Sequence, residues 1–337
     1  MAWQLLIVQL ALFPFLVTPS SAAAAPIAKG NCTTHCGETA IPYPFGIGAG
    51  CYLDEWFEII CTESDTVPLL NRTNQEVTDI SHDGTITVKN PITFANCGRK
   101  DENKQSPSLE GSPFRFSQAG NTFISVACGS IALMNNTRGS TIGVCLSVCS
   151  GDGLALDKSC GGMGCCQMTV PPELQAFVTD FLDVDMNSIN HRRESACRYA
   201  FLVNRKWFSS EIKNISALLE MAGVPVILEW GLYNISEKQV FGTSVETSVS
   251  GNTDNLDDDH ELYSISDYYY NQRMADDLRY RNGSCEVIGV TSSLLVNRSM
   301  LKCSCPIGFN GNPYLLRGCY GNSFLQLSSQ ISILVYY

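Results

Sequence analysis

Glu76–Val88, EVTDISHDGTITV, decides the fold class. Two runs, Glu76–Ile80 and Thr85–Val88, are rich in β-branched residues and flank the turn Ser81-His82-Asp83-Gly84. Asp-Gly supplies the positive φ that a tight turn needs, so the stretch reads as a β-hairpin. Working outward, Phe57–Cys61, Asn121–Cys128, Cys197–Val203 and Val224–Trp230 read as further short strands between polar turns. Arg99–Pro113 reads as an exposed loop. One helix is predicted over Glu173–Leu182, where Leu174, Phe177, Val178, Phe181 and Leu182 recur at helical spacing behind Pro171-Pro172. The predicted class is mostly β and disulfide-rich, with one or two helices in two small Cys-rich domains and a partial third module.

The N-terminus reads as a signal peptide over residues 1–24. The apolar run Leu5–Val17 is too short to span a bilayer, and the small residues Ser20–Ala25 offer a cleavage site near Ala23 or Ala24. The chain has 16 cysteines, an even number. They are Cys32, Cys36, Cys51, Cys61, Cys97, Cys128, Cys145, Cys149, Cys160, Cys165, Cys166, Cys197, Cys285, Cys303, Cys305 and Cys319. So many in a secreted chain imply disulfides rather than a zinc site at Cys160–Cys166, and vicinal Cys165 and Cys166 should reach different distant partners. Asn-x-Ser/Thr acceptor patterns stand at Asn71, Asn135, Asn214, Asn234, Asn282 and Asn297, with a weaker one at Asn31.

The net charge is −11, and the segment Glu246–Asp277 carries nine acids against one base, Arg273. Residues 242–284 read as an acidic flexible linker, too poor in apolar groups to offset their ordering entropy. No long basic stripe could neutralise phosphates, so nucleic acid is excluded as a partner. Residues 320–337 read as a tail without a membrane span. No nucleophile elbow or metalloprotease motif occurs, and no metal or cofactor is implied. Asp183 and Asp185 form a carboxylate pair, but their sequence spacing does not define a gap across a sugar.

Several motifs occur in a fixed order. Cys32-x-x-x-Cys36-Gly37, then Ile41-Pro42-Tyr43-Pro44-Phe45-Gly46-Ile47-Gly48 and Cys51, opens the chain after the leader. Cys160-Gly161-Gly162-Met163-Gly164-Cys165-Cys166-Gln167, Cys197-Arg198-Tyr199-Ala200-Phe201 and Val224–Trp230 follow. Cys303-Ser304-Cys305-Pro306-x-Gly308-Phe309-x-Gly311-Asn312-Pro313-Tyr314 and Gly318-Cys319 come last. In this order they resemble the extracellular region of plant wall-associated receptor kinases. The resemblance implies a galacturonan-binding domain over 31–98, a Cys-rich domain over 128–233 and a partial epidermal-growth-factor-like module over 285–319. The last has four cysteines where such modules carry six, and neither a calcium-binding repeat nor a kinase follows, so calcium binding and kinase activity are not implied.

The expected function is non-catalytic binding of pectic galacturonan, in the cell wall or, for a longer membrane-anchored form, at the plasma membrane. Tyr43, Phe45, Tyr52 and Trp56 could offer aromatic faces to sugar rings, or equally plug a small core. Arg99 and Lys100, with Lys104 and Arg115, are the nearest cations for carboxylates, though Asp101, Glu102 and Glu110 lie among them. A second basic cluster is His191, Arg192, Arg193, Arg198, Arg205 and Lys206. A protein or peptide ligand and a wall-polysaccharide hydrolase are the alternative functions.

Overall fold

The computed structural model describes residues 26–62, 66–149, 160–183, 197–212, 215–233, 240, 280–281, 283–291 and 297–321. The predicted signal peptide, nearly all of the acidic linker, most of the tail, Asp185, His191, Arg192, Arg193 and the acceptors Asn214, Asn234 and Asn282 lie outside the described residues. Strands dominate. The first eight are β1 (His35–Cys36), β2 (Thr39–Ala40), β3 (Ile59–Cys61), β4 (Pro68–Leu70), β5 (Gln75–Ser81), β6 (Thr85–Asn90), β7 (Thr93–Ala95) and β8 (Phe114–Phe116). Then come β9 (Asn121–Val126), β10 (Ser130–Asn135), β11 (Thr141–Ser147), β12 (Cys165–Thr169), β13 (Val178–Asp183), β14 (Arg198–Asn204), β15 (Val224–Trp230) and β16 (Leu232–Tyr233). The last are β17 (Tyr280–Arg281), β18 (Ser284–Thr291), β19 (Asn297–Ser304), β20 (Phe309–Gly311) and β21 (Cys319–Gly321). Among the described residues one longer helix, α1 (Arg205–Glu211), accompanies short 3₁₀ turns.

The hairpin forms as read, with Ile80 opposite Ile86 and Ser81 opposite Thr85. Gly84 has φ +90°, which is why glycine stands there. The hairpin sits inside a six-stranded sheet of order β3-β4-β5-β6-β15-β8. A four-stranded sheet has the order β12-β9-β14-β7. Every residue of β9 is buried, as are the five central residues of β14. Their side chains serve two cores by strand alternation. Phe123, Ala200 and Leu202 join the main core with β5, β6 and β15, while Ile124, Tyr199, Phe201 and Val203 pack with Phe208 of α1.

This topology differs from two consecutive domains. β15, from the second expected unit, pairs with β6 from the first and with β8, which follows the Arg99–Pro113 stretch between them. β14 pairs with β7, and Cys97–Cys197 ties the same segments. A strand such as Val224–Trp230, apolar at alternate positions, buries its inner face only where a sheet already stands. The strand that receives it, residues 85–90, lies 134 to 144 residues earlier in the chain, from Val224 opposite Asn90 to Glu229 opposite Thr85.

The predicted helix over Glu173–Leu182 is not a helix. Its C-terminal half is β13, paired with β10 so that Phe181 faces Ala132. Leu174 and Phe177 are buried ahead of it, in irregular chain that includes Glu173 at φ +55°. The apolar spacing mimicked a helix face, but β-branched Val178 and Thr179 beside an open strand edge favour pairing. The helix that does form, α1, carries only one buried residue, Phe208, and starts on Asn204, whose side chain accepts hydrogen bonds from the Lys206 and Trp207 amides.

All 16 cysteines are paired: 32–51, 36–61, 97–197, 128–149, 145–166, 160–165, 285–303 and 305–319. Cys165 and Cys166 take different partners, but only one is distant: Cys165 closes a small loop to Cys160. The C-terminal stretch is not a free module either. Leu301, Cys303, Tyr314 and Leu315 belong to the main core, and β16 pairs with β19. Asn312, fully buried, donates to the carbonyls of Ile27 (3.0 Å) and Tyr43 (2.7 Å).

Candidate functional site

The expected aromatic platform divides. Tyr43 and Phe45 are 1% and 0% exposed. Phe45 stands edge-on to Phe57 and Trp230, at 5.1 and 5.5 Å between ring centroids. The Tyr43 hydroxyl donates to the Val240 carbonyl, and burial pushes that phenol up to about 12. These two rings are core, which corrects the expectation that they stack on sugars. Gly46 in the same motif lets the chain turn tightly, since a Cβ there would meet the Cys51 carbonyl oxygen at 2.2 Å. Tyr52 and Trp56 remain half-buried. Their neighbours are acidic, with Glu58 and Glu55 acting on Tyr52 and with Arg72, which covers Trp56, paired to Glu55. A polyanion gains little from that surface.

Arg99 is committed within the fold. Its guanidinium lies 4.2 Å from the Phe94 ring, pairs with both Asp101 oxygens and donates to the Leu219 carbonyl. That hydrogen-bonded pair holds the Asp101 carboxyl below its usual range. Arg115 pairs with Glu173 and Glu229, and Arg198 with Asp183. Lys100 and Lys104 are exposed. Asp183 is bound to Arg198, and the carboxylate expected beside it, Asp185, lies outside the described residues.

Lys104 lines a cleft of about 290 Å³ that sequence reading did not find. One wall is Thr73, Asn74, Gln75 and Glu76 at the start of β5, with Lys89 and Asn90 at the end of β6. The facing wall is Lys104, Gln105 and Pro107, and Gly223 closes the space. Glycine is required there, because a Cβ would meet the Asn90 carbonyl oxygen at 2.8 Å. A buried amide relay holds the walls together: Gln75 Nε2 donates to Asn90 Oδ1 (3.1 Å), and Asn90 Nδ2 to Ser106 Oγ (2.7 Å). The Thr93 hydroxyl fixes the Lys104 carbonyl, and Gln105 exchanges two hydrogen bonds with the Thr179 backbone.

Two groups in this cleft lack partners. Gln75 Oε1 and Thr73 Oγ1 are buried without a hydrogen bond, and Gln75 is 4% exposed. Such atoms cost stability unless something outside the chain satisfies them. Lys89, half-exposed, pairs with Glu76, so two lysines face one carboxylate and the lining has an excess positive charge. An unfilled acceptor, a hydroxyl and the Lys104 ammonium suit a ligand that carries hydroxyls and a carboxylate. Lys89 and Thr73–Gln75 were invisible as site residues because only β5–β6 pairing and the loop after β7 bring them opposite Lys104.

Of the expected glycan acceptors, Asn71 is exposed, while Asn135 is half-buried in β10 and bonded to Asp180 and Thr141. Asn31 is exposed, and Asn297 begins β19. No helix among the described residues is long and apolar enough to cross a membrane.

Two family models match the chain. "Wall-associated receptor kinase galacturonan-binding" covers residues 32–90, and "Wall-associated kinase" covers 157–238. Similar curated proteins from Arabidopsis thaliana include wall-associated receptor kinase-like 10, 28% identical over 86% of this chain and 38% of its own length. Wall-associated receptor kinase-like 3 is 30% identical over 90% of this chain and 40% of its own. Wall-associated receptor kinase 1 is 29% identical over 89% and 36%. The chain thus spans well under half the length of these relatives. No solved structure matches. The matched segments supply both partners of the β6–β15 pairing: the chain is a wall-associated-receptor-kinase-like extracellular region.

Proposed function

We propose that this chain is a non-catalytic binding module for pectic galacturonan in the plant cell wall, and that it holds the polymer at the Lys89–Lys104 cleft. One observation carries the reading. The segment that matches the galacturonan-binding family model, 32–90, supplies one whole wall of that cleft, from Thr73 to Glu76 with Lys89 and Asn90. The chemistry agrees. A galacturonate residue brings one carboxylate for the lysines and hydroxyls for Gln75 Oε1 and Thr73 Oγ1. Lys100, four residues before Lys104, is also exposed and could add a second cation for a longer polymer.

Charge-assisted hydrogen bonds are worth roughly 1.5–3 kcal/mol each in a sheltered site and less where water screens them. Lys89→Ala with Lys104→Ala should therefore lower affinity for de-esterified polygalacturonate by about tenfold, or ~1.4 kcal/mol. It should also flatten the salt dependence of what remains. Both side chains are at the surface, so circular dichroism and melting temperature should stay near the parent's. A folded double variant that binds like the parent would remove this cleft.

A protein or peptide ligand has one observation in its favour. Val144, Leu146 and Leu182 are 56%, 47% and 51% exposed, and Leu146 and Leu182 flank Ile131 in one cross-strand row. Charged replacements at Val144 and Leu146 that leave pectin binding intact but abolish recovery of a protein partner would favour that reading.

A further inference from the structure

A second cleft, of about 270 Å³, opens where the β5–β6 turn and the end of β15 meet β19. Asp83, Arg115, Glu229, Trp230, Lys302 and Tyr314 line it. It shares no residue with the Lys89–Lys104 cleft. Its charges balance, two cations against two carboxylates, and the inner pair is already joined: Arg115 bonds Glu229 at 3.0 Å. Asp83 and Lys302 remain exposed at the rim. The wall is aromatic, with Trp230 and Tyr314 5.3 Å apart between ring centroids.

Trp230 supplies the decisive observation. It is 5% exposed, and its indole Nε1–H is buried with no acceptor. A buried N–H without a partner is rare, and tryptophan usually finds one. Burial pushes the neighbouring Tyr314 phenol up to about 12, so that ring stays neutral beside the indole. The residue with the unfilled donor thus lines a cleft that has an aromatic wall and a rim with one acid and one base. A net charge on the ligand would be attracted by one rim group and repelled by the other, so the cleft favours neither sign. Hydroxyls, which donate to Asp83 and accept from Lys302 and the indole, would satisfy every open group. The volume lies just below the usual range of small-ligand sites, roughly 300–1,000 Å³.

We propose that this cleft is a second ligand site, which takes a neutral, hydroxyl-rich molecule of one or two sugar units. Because the wall contains both β15 and β19, its occupant also pins the C-terminal hairpin to the main sheet.

The test uses the whole secreted chain and β-1,4-galactobiose as the probe, with digalacturonate for comparison. Saturation-transfer NMR should show transfer to galactobiose with a saturable isotherm. Trp230→Phe keeps most of the ring volume and removes the N–H, and should weaken that binding by about tenfold. Because Trp230 is core, Asp83→Ala with Lys302→Ala provides an independent surface variant, expected to weaken it by at least about fivefold. Lys89→Ala with Lys104→Ala should leave galactobiose binding unchanged. A folded parent that shows no transfer to galactobiose overturns the proposal, as does binding undiminished in the rim variant. Neither result bears on digalacturonate binding, which is read separately in the same samples.

Discussion

At the residue scale, buried amides do the joining. Asn121, fully buried, reads like a missing strand: its side chain accepts from the Ile227 amide (2.9 Å) and donates to the Ile227 carbonyl (2.7 Å), bracing β9 to β15. Asn312 does the same for the C-terminal stretch, gripping the backbone at Ile27 and Tyr43 while its Oδ1 accepts from the Tyr314 amide. Asn312→Ala would strand the buried Tyr43 carbonyl, at roughly 1–3 kcal/mol, while the Ile27 carbonyl keeps the Tyr43 amide as a donor. Hydrogen exchange should then show residues 309–321 losing protection ahead of β5 and β6. Equal protection in variant and parent would deny Asn312 this role. The motif Asn312-Pro313-Tyr314 was legible as a pattern, but its grip on Tyr43 was not, since nothing in the sequence relates positions 269 residues apart.

His82, in the hairpin turn, gives a pH prediction. Burial lowers its pKa from 6.5, with Asp83 pulling weakly the other way, and its Nε2 is buried without a partner. The unfolded chain therefore binds a proton that the folded chain resists. Stability is full above about pH 6.5 and falls as the pH drops through that value toward the lower folded pKa. Melting temperature should decline between about pH 7 and pH 5, before most carboxylates titrate. His82→Gln should flatten that decline, and an unchanged slope would contradict the assignment.

At the element scale, the strands were legible and the helix was not. Glu76–Val88 and Val224–Trp230 show the alternation of a sheet with one buried face, and both are strands. β9 and β14 read as strands although both their faces are buried, because β-branched and aromatic residues fill them. Residues 173–182 misled because Leu174 and Phe177 serve the core from irregular chain, so their spacing reflected two separate tasks. α1 offered only its N-cap, Asn204, as a signal. Disulfide partners could not be read, since cysteine count fixes the number of bridges and not their connectivity. Cys97–Cys197 closes the widest loop, of separation 100. In the chain-entropy account a loop of that length is worth ~4–5 kcal/mol. Replacing both cysteines with serine should lower the melting temperature more than the same change at Cys32–Cys51, whose separation is 19. The reverse order would show that local strain or unfolded-state structure outweighs loop length.

At the scale of the whole molecule, the segments that sequence reading separates are interleaved. β15 lies between β6 and β8, and β14 between β7 and β9. A fragment of residues 26–127 should therefore unfold without cooperativity and bind pectin poorly, since it lacks the strand that completes each sheet. Cooperative melting of that fragment would show that the first unit stands alone. The proposed site follows the same logic. The sequence offered Arg99 and Lys100, with Lys104, as the nearest cations, but Arg99 is tied to Asp101 and Phe94, and Tyr43 and Phe45 are core. Folding placed Lys89 and Lys104 on facing walls instead.

The most direct measurement is NMR mapping of the intact, isotope-labelled chain titrated with a de-esterified oligogalacturonide. The account predicts that the largest saturable amide shifts fall at Thr73–Glu76, Lys89–Asn90 and Lys104–Gln105, and shrink as salt rises. Saturable shifts confined to other surfaces, or no shifts in the folded protein at low salt, would contradict it.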